Sequence, residues 1–151
     1  MMKFFEKTCL INCDIEKLFA FHLDTNNLKV ITPLDTKVEL LNKDFIPHEG
    51  GIVKIKSVKN FIPTTWEVKI EKLDSPNILI DIAIKSPFKY WKHSHIFTKK
   101  GSRCELKDIV EYKLPLGKFG EFFDFFIQKE LKNMFDFRHK ITKGLLEKRN
   151  T

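Results

Sequence analysis

The hydrophobic period changes once, near Lys118, and that change does most to limit the fold. Before it, apolar residues alternate with polar ones. In "WEVKIEKL", Trp66, Val68 and Ile70 alternate with Glu67, Lys69 and Glu71, which puts one apolar face on a half-buried strand. After it, "GKFGEFFDFFIQKELKNMFDFRHKITKGLLEKR" repeats its apolar residues every three or four positions, as one long helix does. The stripe runs through Phe119, Phe123, Phe126, Leu131, Met134, Phe137, Ile141 and Leu145, and Phe122, Phe125 and Phe135 widen it. Strands gathered ahead of a segregated helix predict an α+β fold with an antiparallel sheet.

Turn residues divide the first part. A strand is expected over 2–11 and a helix from "NCDIEKLFAFHL", capped by Asn12 or Asp14. Ile15, Leu18, Phe19 and His22 share one stripe of that helix. A second short helix is expected through 26–31, stopped by Pro33. Six strands then follow, over 36–41, 51–58, 64–73, 77–84, 90–98 and 103–114, the last two joined by the hairpin signal "KKGS".

The length of 151 residues fits a single domain, 1–151. The net charge of +7 is spread over lysines that alternate with apolar residues, as on the wet face of a sheet. Nucleic acid is therefore not the expected partner, and no stretch is long enough for membrane insertion. Three cysteines, Cys9, Cys13 and Cys104, lack metal-binding spacing and no export signal is evident, so reduced thiols and a cytoplasmic location are expected. No nucleotide, phosphate-loop, serine-hydrolase or zinc-protease motif is present, and no cofactor or metal is expected.

The candidate chemistry lies in "YWKHSHIF". A strand there puts Trp91, His93, His95 and Phe97 on one face. A hairpin register summing to 201 sets Phe97 opposite Cys104, His95 opposite Leu106, His93 opposite Asp108 and Trp91 opposite Val110, all on that face. An inward His93–Asp108 pair has four readings. It is a self-satisfied structural pair, a polar anchor for a ligand, an acid–base pair acting on a carbonyl compound, or part of a metal site. His93, His95 and Asp108 are accordingly the candidate catalytic residues. Asp81 joins them if its face is the inner one, and Tyr112 follows on the same face with its hydroxyl directed to a ligand or to the helix. His22 is expected in the core or at a cavity rim. Arg138 points either to solvent or inward to hold a carboxylate.

Four stretches carry a family resemblance: "DIEKLFAFHLDTNNLKVITP", "SPFKYWKHSHIF", "DIVEYKLPLGKFG" and the helix containing "FDFRHK". Together they resemble the START-like helix-grip superfamily, also called SRPBCC, which includes the major birch pollen allergen and the polyketide cyclase/dehydrase and lipid-transport group. The resemblance implies a curved seven-stranded antiparallel sheet wrapped around a long C-terminal helix, two short helices after the first strand, and a cavity between helix and sheet. It implies binding, or transport, of a small hydrophobic molecule or lipid, as a monomer or homodimer. The alternative is a cyclase or dehydratase using the His/Asp residues, so whether the chain is an enzyme stays open. The expected ligand-binding residues are Trp66, Asp81, Trp91, His93, His95, Phe97, Asp108 and Tyr112 on the sheet, and Phe123, Phe126, Met134 and Arg138 on the helix.

Overall fold

A computed structural model describes residues 1–147. Seven strands form one antiparallel sheet: β1 (Lys3–Ile11), β2 (Thr36–Leu40), β3 (Ile52–Lys59), β4 (Ile62–Asp74), β5 (Ile78–Lys85), β6 (Tyr90–Lys100) and β7 (Arg103–Lys113). Their order across the sheet is β1-β7-β6-β5-β4-β3-β2, so β7 returns to pair with β1 at one edge and β2 forms the other. Between β1 and β2 lie α1 (Ile15–Leu23) and a 3-10 turn, Thr25–Leu28. After β7 come α2 (Gly117–Glu121) and the long α3 (Asp124–Leu146). This is the curled sheet and long terminal helix of the α+β helix-grip architecture. No helix among the described residues is long and apolar enough to cross a membrane.

Alternation does what the sequence predicts on β7, where Cys104, Leu106, Asp108, Val110 and Tyr112 are all buried and their neighbours are not. The inner face feeds two core clusters. One, beneath α1, joins Ile11, Leu18, Phe19, Phe97 and Leu106; Phe19 meets Phe97 edge-on at 5.6 Å. The other, beneath α3, joins Trp91, Val110, Tyr112, Leu131 and Phe135. On β6, Trp91 belongs to the second cluster and Phe97 to the first. His93 and His95 therefore sit where the two apolar masses meet.

Two expectations about the chain's geometry are corrected. The β6–β7 register sums to 203, not 201: Lys100 pairs with Arg103, leaving Gly101 and Ser102 as the loop. Gly101 has φ of 62°, the left-handed conformation that a tight two-residue hairpin needs, and glycine adopts it without steric cost. A shift of two preserves the faces and changes the partners, so His95 faces Asp108 and His93 faces Val110.

The C-terminal helix is also broken. Phe123 has φ −93° and ψ 5°, outside the helical region, so α2 ends before α3 begins. Gly120 lies against the chain just ahead of α2, and a Cβ there would come within 1.8 Å of Pro115 O. After the break the buried stripe is Leu131, Phe135, His139 and Thr142, out of phase with the predicted Phe119–Phe123–Phe126 series. Phe119, Phe123 and Phe126 are exposed, and Phe122 and Phe125 with them.

Candidate functional site

Asp108 is the centre of the site. It is 3 % exposed, on the strand buried deepest in the sheet, and its carboxylate meets three imidazoles. His93 Nε2 donates to Oδ1 at 2.7 Å, and His139 Nε2 donates to Oδ2 at 2.6 Å. His95 Nδ1 lies 2.9 Å from Oδ1, without the alignment of a hydrogen bond. His95 also points its Nε2 at Asp81 Oδ2, 3.5 Å away. Asp81 pairs with His93 across β5 and β6, which puts its side chain on the inner face. His22 completes the set from α1. Its Nδ1 donates to Leu18 O at 2.9 Å, and its ring lies 5.4 Å from that of His95.

The electrostatics follow from this crowding. Burial favours a neutral Asp108, but the hydrogen bonds from His139 and His93 and the closeness of His95 outweigh it and hold the carboxyl well below its ordinary range. Burial likewise opposes charge on His95, yet Asp108 and Asp81 override it and raise its pKa to about 9. His22 goes the other way, lowered to about 3 by burial and by the neighbouring His95. His93 is also lowered, by burial and His95, against the pull of Asp108. The cluster thus holds a buried carboxylate beside a protonated His95, with His93 and His22 neutral next to it.

Arg138 turns inward. Its guanidinium carbon lies 5.3 Å from the centre of the Phe135 ring, and burial lowers its pKa against the attraction of Asp108 and Asp81. Its Nε is buried with no hydrogen-bond partner among the described residues. The same holds for His95 Nδ1, His139 Nδ1 and Thr142 Oγ1. All four residues line one small gap, together with His22, Ile31, His93, Leu106, Asp108 and Phe135.

That gap has a volume of about 10 Å³, room for one water. The guest-sized cavity expected between helix and sheet is therefore filled in this conformation. Phe135 and His139 occupy the space, because the inward stripe of α3 carries large rings where it crosses β6 and β7. A larger pocket of about 220 Å³ opens beside Cys13, Asp14, Lys99 and Arg103, at the hairpin end of the sheet.

The predicted site residues do not all meet. His93, His95, Asp108 and Arg138 converge on the gap, with Asp81 adjoining through His95. Trp66, Trp91 and Met134 belong to the cluster beneath α3, where Trp66 and Trp91 rings meet at 5.3 Å. Phe97 packs on Phe19 and His22, while Tyr112 donates its hydroxyl to Asp124 at 2.6 Å and so is bound to the helix. Phe123, just ahead of α3, and Phe126, in its first turn, are exposed and take no part in either cluster. Sequence reasoning missed His139 and Thr142. The available signal was their spacing of four and seven from Phe135, which continues one helical stripe.

Asp81, His93 and His95 are also the residues that could hold a metal, their ligand atoms lying within 4.8 Å of one another. His93 already spends its Nε2 on Asp108, and His95 lies between two carboxylates, so the geometry fits a hydrogen-bonded, charge-paired network better than a coordination shell.

No family model and no curated protein matches the chain in sequence. Solved structures match it in fold. A protein from Chromobacterium violaceum superposes with a TM-score of 0.77 at 11 % identity, covering 97 % of this chain and 99 % of that one. The di-domain ARO/CYC StfQ from the steffimycin biosynthetic pathway gives 0.74 at 10 % identity, over 95 % of this chain and 50 % of StfQ. Ara h 8.0201 gives 0.69 at 14 % identity, over 96 % and 97 %. At these identities the likeness is one of fold, and it agrees with the strand order, the curl of the sheet and the long final helix. The chain has the START-like (SRPBCC) helix-grip fold.

Proposed function

We propose that the chain, as a single domain, binds a small, largely apolar molecule between α3 and the sheet, with an acceptor oxygen of that molecule seated at the Asp108 cluster. The observation that carries this is the convergence of buried polar atoms without partners on one gap. Buried polar groups are nearly always paired, so Arg138 Nε, His139 Nδ1 and Thr142 Oγ1, unpaired around one point among the described residues, ask for a visiting partner. Arg138 Nε–H can only donate, so the visitor must bring an acceptor: a carbonyl, hydroxyl or carboxylate oxygen. The apolar clusters on either side suit the rest of such a molecule. Because the gap itself takes only a water-sized group, binding requires α3 to lift. Only four of its 23 residues are buried, which makes that movement inexpensive relative to unfolding.

The test uses decanoic acid and decan-1-ol as probes and reads the histidine ring signals by NMR. Decanoate is expected to move the His95 and His139 signals, and Arg138→Met to weaken that effect about tenfold, the worth of one charge-assisted hydrogen bond. If neither probe at millimolar concentration moves any ring signal, the proposal fails.

One observation favours a second reading. His95 and His22 are neighbours with pKa values driven far apart, the pattern by which sites assign an acid and a base. His95 would then protonate a carbonyl oxygen while a neutral imidazole takes the adjacent carbon's proton. Deuterium uptake at the α-carbon of decan-2-one in heavy water tests this, with loss expected in His95→Gln. A wild-type chain that exchanges no faster than buffer removes the reading.

A further inference from the structure

We propose that one end of the molecule docks on an anionic lipid bilayer through a cluster of exposed phenylalanines ringed by lysines. Along 116–126, Leu116, Phe119, Phe122, Phe123, Phe125 and Phe126 are each between 46 and 74 % exposed. The five phenylalanines leave roughly 600 Å² of aromatic side chain in water, at about 200 Å² for a whole ring. That equals or exceeds the largest apolar patch of an ordinary soluble monomer. Three of the rings pack on one another, Phe119 to Phe123 at 5.7 Å and Phe122 to Phe123 at 5.5 Å, so that part of the cluster is a formed surface.

The topology brings a second apolar tip to the same end. The β3–β4 turn carries Phe61, 98 % exposed, and Ile62, 66 % exposed. Lys59, at the end of β3, reaches Glu130 on α3 and ties that turn to the first half of the helix.

Charge decides the partner. The acidic groups at this end are already matched. Glu121 pairs with the N-terminal ammonium at 3.2 Å and Lys3 at 3.1 Å, Asp124 accepts from Tyr112 at 2.6 Å, and Glu130 holds Lys59. The lysines around the rings are not matched: Lys118, Lys129, Lys89 and Lys113 have no ion pair among the described residues. Lys118 lies between Leu116 and Phe119 in sequence, and on α3 Lys129 follows Phe125 and Phe126 on a stripe facing away from Leu131. Lys89 is bonded through its backbone N–H to Lys113 O at 3.0 Å, next to the Tyr112 that anchors the start of α3. Aromatic rings with unpaired lysines on one helix face are the composition of a helix lying in a bilayer interface. A protein partner of equal fit would have to be both apolar and acidic. An anionic bilayer supplies both over any area.

The experiment is co-sedimentation of the full chain with vesicles of phosphatidylcholine, alone or mixed with phosphatidylserine. Binding is expected to the mixed vesicles only, and to weaken as sodium chloride is raised. Phe122→Ser with Phe125→Ser is expected to reduce that binding at least about tenfold while leaving the melting temperature unchanged, since neither ring is in the core. Lys118→Glu with Lys129→Glu should do the same by charge. The proposal is overturned by equal binding to both vesicle types, by no binding to either, or by serine variants that bind like wild type. It is equally overturned if those variants abolish self-association in sedimentation velocity without any vesicle binding, which would make the patch a contact between copies.

Discussion

Replacing Asp108 by Asn removes one charge and keeps the shape, and so isolates what the carboxylate does. In the native site it accepts from His93 and His139 and lies against His95, all with little access to water. An Asn has one acceptor oxygen to offer and directs an NH₂ at the remaining rings. Removing one partner of a buried ion pair costs about 3–5 kcal/mol, which for a chain of this size is a fall in melting temperature of roughly 10 °C or more. The pH profile carries a second signature. His95 has its folded pKa raised to about 9, so its stabilisation is complete below the unfolded value and is lost as pH rises through 9. From 6.5 to 9 that loss is about 3 kcal/mol in order of magnitude. His22 and His93 are lowered in the folded chain, so stability also declines as pH falls below about 6.5 and the unfolded chain takes up their protons first. Wild type is therefore most stable near neutrality, and Asp108→Asn should flatten the alkaline side by returning His95 toward an ordinary value. Urea melts from pH 5 to 10, with the His95 ring titrated by NMR, measure both. A variant within about 1 kcal/mol of wild type, with an unaltered alkaline limb, would refute the central role given to Asp108.

Three other outcomes are expected. Gly120→Ala drives a methyl group into Pro115 O and should cost more than about 3 kcal/mol in a urea melt, with loss of α2 helicity. Tyr112→Phe removes the donor to Asp124 and the acceptor for Gln128, and should cost about 1–2 kcal/mol and speed amide exchange in the first turns of α3. Cys9 has its thiol pushed up to about 11, chiefly by burial, and Cys13 and Cys104 are buried, so a disulfide reagent at pH 8 should label the native chain far more slowly than the unfolded one.

The sheet was legible in the sequence because a period of two is hard to mistake, and because a register error of two leaves every side chain on its proper face. His93, His95 and Asp108 were placed together for that reason, although the pairing of His93 with Asp108 across the ladder was wrong. Asp81 needed the β5–β6 pairing, which no short loop fixes, before its face was known. The helix was less legible. Phe119, Phe123 and Phe126 outweigh their neighbours in any apolar count and drew the predicted stripe into the wrong phase. The true stripe contains His139 and Thr142, which a hydrophobic count scores as surface. His139 is buried because it is bonded to Asp108, and burial of that origin leaves no trace in hydropathy.

If a guest enters as proposed, the joint at Asp108 also sets how quickly it gets in. Two of its imidazoles belong to β6 and one to α3, so lifting the helix parts His139 from the carboxylate while His93 stays behind. One charge-assisted bond of this kind holds the shut form over the ajar one by roughly ten- to a hundredfold. Loading of the interior would then proceed at the pace of a rare excursion, and saturate with concentration, instead of tracking collision frequency.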